Sequence, residues 1–353
     1  MCYRLIRPLL FLLPAEWAHS LTLKLWKLLL RVPGLFFLIM RLQKPSSPKL
    51  QVQTPHLLFP NPIGLAAGLD KDANYLKPLA ALGFGFLEVG TVTPLPQPGN
   101  DPPRLFRLPA DLALLNRMGF NNQGADVVAQ RLQEFYQWKT DKKFPVLIGI
   151  NIGKNSSTPL DQAVNDYVYC FQRLHKWADY VVINISSPNT EGLRELQHRQ
   201  RLDRILEAVQ QHNSASSVPR PLFVKIAPDL TFAEVDEVVD CTLKHKLAGI
   251  IATNTTMSRH NLKTSAVMLE QLGTGGISGR PLAARSTEIV RFIRQRCGNH
   301  LTLIACGGVF STEDVKEKIR AGAQAVQLYT ALIYAGPALI RRMLRQLQQG
   351  QLS

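Results

Sequence analysis

The chain has 353 residues, 46% of them hydrophobic, and 41 Lys and Arg against 26 Asp and Glu give a formal net charge of +15. That apolar content excludes a disordered chain and suffices for one large domain with an appendage, while the cationic surface suits nucleic acid, anionic lipid or acidic metabolites without choosing among them. The five cysteines (Cys2, Cys170, Cys241, Cys297 and Cys306) lack C-x-x-C spacing and the eight histidines form no H-E-x-x-H pair, so neither a disulfide framework nor a metal centre is expected.

The first fifty residues stand apart. In LLFLLPAEWAHSLTLKLWKLLLRVPGLFFLIM, the cations Lys24, Lys27 and Arg31 lie three and four apart on one helical face, leaving Leu21, Leu25, Leu28 and Leu29 to the others. Pro14 and Pro33 cut the segment into short pieces, and no run reaches the roughly 20 uncharged apolar residues that a spanning helix needs. An amphipathic segment lying on an anionic membrane surface is expected. Two helices packed on the main domain or on a second copy would show the same pattern, and that reading stays open. A cleaved signal peptide is disfavoured, because Pro14-Ala15-Glu16-Trp17 stands where a small-x-small site would be. QKPSSPKL at 43–50 reads as a linker, dividing a helical segment (1–45) from a larger domain (46–353). With no Arg/Ser-rich transit segment ahead of the helices, the cytoplasmic face of a bacterial inner membrane is the expected location.

From residue 61 onward, apolar β-rich runs recur at 63–68, 84–91, 146–152, 180–186, 222–227, 249–254, 301–308 and 325–330. Segments with helical periodicity, such as LDRILEAVQQH and FAEVDEVVDCTLKHK, lie between most of them. Eight such units predict an α/β fold, a closed (β/α)8 TIM barrel, with a doubly wound open sheet as the alternative.

In a barrel of this kind the ligand site forms at the carboxyl ends of the strands. Those ends read Ala67-Gly68 before Asp70-Lys71, then Gly90-Thr91, Asn151, Asn184 with Ser187 and Asn189, Lys225, Thr253-Asn254-Thr255, Gly307-Gly308 and Tyr329-Thr330. Counting Asn116, five asparagines meet at one mouth. A carboxamide is neutral and offers donor and acceptor side by side, which matches a ring of alternating N–H and C=O groups such as a pyrimidine imide. The glycine pairs 275–276 and 307–308 fit a phosphate site after the last two strands. Lys225, in the middle of LFVKIAP, needs an anionic partner: either a ligand in the mouth or a carboxylate such as Glu88.

Together GLAAGLDKD, EVGTVTP, PRLFRL, NRMGFNNQG, INIGKN, NISSPNT, VKIAPDL, NTT, GGISGRPL and QLYTAL resemble the dihydroorotate dehydrogenases, in their membrane-associated, quinone-reducing class (class 2). The resemblance covers essentially the whole chain. It implies an FMN-binding barrel that oxidises dihydroorotate to orotate in pyrimidine synthesis and passes electrons to ubiquinone or menaquinone. Carried over by position, FMN is expected on Ala67, Gly68, Leu69, Asp70, Lys71, Thr91, Asn151, Asn184, Lys225, Thr253, Gly276, Gly308, Tyr329 and Thr330. Substrate is expected on Lys71, Asn116, Arg117, Met118, Gly119, Phe120, Asn184, Asn189, Asn254 and Thr255. Ser187 is implied as the base for the C5 proton, with Thr190 as relay and Phe120 as shield, and Arg107 and Tyr329 as residues facing a quinone tunnel. His19 is expected in helix–barrel packing. Glu191 departs from the proline common in the family, which leaves the mobility of the covering loop open. A monomer is expected, and no nucleic-acid partner. The tRNA-dihydrouridine synthases, another flavin barrel, carry a helical RNA-binding domain for which QLQQGQLS, soon after the last strand, leaves no room. A non-enzymatic lipid-binding protein would instead purify colourless.

Overall fold

The computed structural model describes residues 2–43 and 47–350. Each of the eight expected runs holds one strand, the second extending one residue past its run: Ile63–Leu65 (β1), Phe86–Val92 (β2), Leu147–Ile152 (β3), Tyr180–Asn184 (β4), Leu222–Ile226 (β5), Gly249–Ala252 (β6), Thr302–Cys306 (β7) and Ala325–Leu328 (β8). Neighbours in sequence pair in parallel, and β8 closes on β1 through Val326 opposite Ile63, so the sheet is a barrel and the open-sheet alternative falls. The strands are buried on both faces, between the barrel interior and an outer ring of helices, which is why they read as unbroken apolar runs.

The amino-terminal end of the barrel is plugged by rings. Phe59, delivered by a short hairpin of Val52–Gln53 with Leu58–Phe59, packs 5.0 Å from Phe86, and Tyr180 lies 5.4 Å from Phe223. The plug requires Gly149 on β3, because a Cβ there would stand 2.1 Å from the Tyr180 ring. Apolar packing therefore closes one end and leaves the polar strand ends to form the other. Two helices of the outer ring, Phe232–Lys244 and Thr312–Arg320, begin in capping boxes, Thr231 with Glu234 and Ser311 with Asp314.

Over the carboxyl end lies a second sheet of three antiparallel strands, Leu105–Leu108, Ala113–Asn116 and Gly276–Gly279. The GGISG segment, whose glycines the sequence assigned to a phosphate site, is mostly a strand, registered so that Gly276 faces Asn116. This sheet brings the asparagine of the NRMGF loop to the barrel mouth.

The amino-terminal segment forms three helices, Cys2–Leu12 (α1), Ala15–Leu29 (α2) and Leu35–Gln43 (α3), with Pro14 at the amino end of α2 and Pro33 between α2 and α3. They pack on the barrel: Arg7 donates to the Tyr334 carbonyl at 3.0 Å, Trp26 Nε1 to Pro78 at 2.7 Å, and Phe36 lies 5.3 Å from Trp138. The outer face, with Leu21, Leu25, Leu28 and Leu29, stays exposed. Packing and amphipathicity are therefore both realised, on opposite faces. Among the described residues no helix is long and apolar enough to cross a membrane. Of the expected linker, residues 44–46 lie outside the described residues, while Pro48–Leu50 form a 3₁₀ turn with Leu50 buried.

His19 sits in the seam between α2 and the barrel, where burial, reinforced by the Lys71 cation, lowers its pKa to about 4. A histidine held neutral in the fold but protonated when unfolded stabilises the fold above pH ~6.5, and that contribution is lost as pH falls toward 4. We expect acidification from pH 7 to 4 to remove up to ~3 kcal/mol through this group. His19→Asn should flatten that slope in urea titrations at each pH; an unchanged slope would move the effect elsewhere.

Candidate active site

At the carboxyl ends of the barrel strands lies a cavity partly open to solvent. Ser187 and Lys225 both line it, from the β4 loop and from β5. With them stand Gly68 and Lys71 after β1, Thr91 on β2, Asn184 on β4, Thr253, Asn254 and Thr255 after β6, Gly308 after β7, and Tyr329 and Thr330 after β8. Asn116, Met118, Gly119, Phe120 and Asn189 close the upper wall.

The polar wall is organised by one carboxylate. Glu88, on β2 and wholly buried, pairs with Lys225 at 3.0 Å. Of the two partners left open for this lysine, Glu88 is the one realised inside the protein. Gln327 Nε2 donates to the other oxygen of Glu88, and Asn151 Nδ2 donates to the first at 2.7 Å. Because an ionised carboxylate only accepts, the Asn151 amide must turn its NH₂ toward Glu88 and its oxygen away. That oxygen accepts from Thr91 Oγ1 at 2.6 Å and Asn184 Nδ2 at 3.0 Å. The Asn184 oxygen then points onward, to Ser186 Oγ at 2.9 Å and Asn254 Nδ2 at 3.4 Å. A single anion thus fixes the orientation of three amides in series.

The loop after β4 is pinned from behind. Arg194 donates to the carbonyls of Ser186 at 3.2 Å and Thr255 at 2.9 Å, and its charge is met by Asp229 at 2.7 Å. Among the described residues Ser187 Oγ accepts only a long bond from the Asn189 amide, at 3.3 Å, which leaves its own proton uncommitted. Asn189 Nδ2 donates to Asn116 Oδ1 at 3.1 Å, tying the loop to the three-stranded sheet. Two buried hydroxyls beside this loop, Thr190 Oγ1 and Thr255 Oγ1, have no hydrogen-bond partner among the described residues. Such groups cost free energy unless a ligand or water meets them.

Burial sets the charges. The Lys71 ammonium donates to the Gly68 carbonyl at 2.9 Å, and desolvation brings its pKa down to about 8. The Tyr329 phenol is pushed up to about 12, again by burial, and stays neutral. The pair on Lys225 overcomes desolvation and holds its pKa above the usual lysine value.

Several expected site residues are not brought to the cavity. Leu69 joins the apolar core, and the buried Asp70 carboxylate accepts from the amides of Asn74 and Tyr75 at 2.9 and 2.7 Å, with burial raising its pKa to about 6. Arg117 turns outward onto the carbonyls of Leu272, Thr274 and Pro103. Asn151 and Gly276 stand one layer behind the wall; a Cβ on Gly276 would lie 2.1 Å from Thr255 Oγ1. Arg107 seats its guanidinium on the last carbonyls of α1, reaching Leu13 at 2.8 Å and Leu10 at 3.3 Å, over the Phe11 ring. Conversely, Gln327, Cys306 and Ser278 line the cavity without having been singled out. Gln327 carried a signal, as a polar residue within an apolar strand. Among the described residues no group of three His, Cys, Asp or Glu side chains converges as metal ligands.

A family model described as dihydroorotate dehydrogenase matches residues 49–350. The chain is 46% identical over 337 residues to a dihydroorotate dehydrogenase (quinone) of Christiangramia forsetii, covering 96% of each. It is 49% identical over 334 residues to one of Mycobacterium ulcerans, covering 95% of this chain and 89% of that one. A crystal structure of DHODH from Eimeria tenella in complex with ferulenol superposes with a TM-score of 0.81 at 41% identity, over 86% of both chains.

Lys225→Met should cost about 3–5 kcal/mol in urea unfolding, because Glu88 is left buried without its cation. Adding Glu88→Gln, which removes the charge and keeps an amide in place, should recover most of that loss. Equal stability of the single variant and wild type would show that the pair does not govern this wall.

Proposed function

This chain belongs to the dihydroorotate dehydrogenase family, and from that premise we propose how its own residues perform the reaction. It oxidises dihydroorotate to orotate in pyrimidine biosynthesis, with a quinone as electron acceptor, and it is membrane-associated. The observation that best supports the residue assignments is that the Ser187 hydroxyl, the Lys225 ammonium and the amides of Asn184 and Asn254 share one cavity. FMN is our reading of the cofactor. Its fit is supported by the donor set: an ammonium and neutral amides on one side, and at the other the backbone of Gly307 and Gly308 beside the Thr330 hydroxyl. Gly308 packs so closely on Ala283 that a Cβ would stand 2.3 Å from its Cα, so only glycine opens that end. Lys225, Thr91, Asn184, Thr253, Gly308, Tyr329 and Thr330 would hold it.

Oxidation removes a proton from C5 of dihydroorotate and a hydride from C6. Bound FMN would supply the hydride acceptor and a means of handing electrons to a quinone. Asn116, Asn184, Asn189 and Asn254 match the imide and amide edges of the substrate ring, with the orientations of Asn184 and Asn254 set from Glu88. Lys71 offers its cation to the substrate carboxylate, and the partnerless Thr255 hydroxyl gains a bond. Ser187 Oγ takes the C5 proton while its own proton leaves toward Thr190, whose buried hydroxyl is also without a partner. Serine is a weak base, so this exit is required. Phe120 covers the site and excludes water.

We assign residues 1–45 as the membrane and quinone-access segment and 46–353 as the catalytic barrel. The exposed leucines of α2, flanked by Lys24 and Arg31, suit an anionic membrane surface. We assign Arg107, seated on α1, and Tyr329, lining the cavity, to the route by which ubiquinone or menaquinone would enter. A monomeric peripheral protein on the cytoplasmic face of a bacterial inner membrane is the form this reading favours.

Ser187→Ala should retain the yellow cofactor yet slow anaerobic bleaching by dihydroorotate about 10²–10⁴-fold. Equal bleaching rates in the two proteins would refute the base. Leu25→Asp with Leu28→Asp should reduce binding to anionic vesicles and raise KM for a membrane quinone while leaving bleaching intact; a matched fall in both half-reactions would count against the access role.

A further inference from the structure

Behind the Gly307–Gly308 wall, and outside the cavity, lies Lys318. It is only 2% exposed, and its ammonium donates to three neutral oxygens: Ala283 O at 2.8 Å, Thr287 Oγ1 at 2.7 Å and Ser286 Oγ. None of the ion pairs among the described residues includes it. Asp314 on its own helix is engaged instead by Arg280, with both carboxylate oxygens at 3.0 Å from Nη1. Burial therefore outweighs the carboxylates nearby and lowers the lysine pKa to about 8.

All three acceptors belong to the first five residues of the helix Ala283–Cys297. A helix amino terminus already carries partial positive charge, so an added ammonium there is disfavoured unless an anion faces the same place. That stretch is the back of the cavity wall. Ser286 Oγ donates to the Gly307 carbonyl at 3.0 Å, Gly308 rests on Ala283, and both glycines line the cavity.

We propose that Lys318 is a positioning residue for the phosphate end of the cofactor: through Ser286 and Ala283 it sets the Gly307–Gly308 backbone, and it supplies positive charge without touching the ligand. This rests on the FMN reading. The geometry gives the lysine one specific effect, on the phosphate and not on the flavin ring.

Full-length wild type, Lys318→Met and Lys318→Gln, stripped of cofactor, would be titrated with FMN and with riboflavin, which lacks the phosphate, by quenching of flavin fluorescence. FMN affinity should fall at least tenfold in both variants while riboflavin affinity stays within twofold of wild type. Equal losses for the two flavins, no loss for either, or variants that bind neither would overturn the proposal and leave Lys318 a packing residue. Should wild type itself fail to bind FMN, the cofactor reading fails first and this assignment falls with it.

Discussion

A buried carboxylate organises this barrel. Glu88 has no exposed side-chain surface, and its desolvation is compensated by one ammonium and two amide donors converging from β3, β5 and β8. Such an arrangement is only marginally favourable in free energy, since desolving two charges roughly cancels their attraction. Its value is directional. An acceptor that cannot donate imposes one sense on every amide bonded after it, and Asn151, Asn184 and Asn254 inherit that sense across more than one strand. The substrate would then meet a wall whose donors and acceptors are already sorted, without reorganisation at the moment of reaction.

The two ends of the barrel divide the work. Aromatic plugging by Phe59, Phe86, Tyr180 and Phe223 supplies cohesion at one end. That cohesion allows the other end to carry polar groups whose burial is costly, including hydroxyls with no partner among the described residues. The three-stranded sheet and the β4 loop, linked through Asn189 and Asn116, roof this end, and Arg194 braces the loop from outside. Positioning thus comes from rigid elements on three sides.

Much of this was legible in the chain. Parallel strands buried on both faces announce themselves as continuous Val/Ile-rich runs, and all eight emerged. Polar residues at the ends of such runs marked most of the cavity, because they have no other reason to interrupt burial. What failed was local continuity. Leu69 and Asp70 adjoin Gly68 and Lys71 in sequence, but the turn sends one into the core and the other onto the amides of Asn74 and Tyr75; Arg117 likewise departs from its neighbours in NRMGF. Glu88 was one of the two partners read for Lys225, but it lies 137 residues away on a strand not adjacent to its own, so no periodicity could choose it over a ligand. The roof sheet was illegible for the same reason, as its strands join GISG to segments more than 150 residues earlier.

Arg107 closes the last turn of α1 by reaching out from the roof sheet to carbonyls at Leu10, Phe11 and Leu13. The corner between α1 and α2 is therefore stitched to the same sheet that holds Asn116, and altering its course would strand backbone acceptors away from water. The outward-facing leucines bear no such obligation. Their identity can consequently drift, while the corner between α1 and α2 keeps its shape.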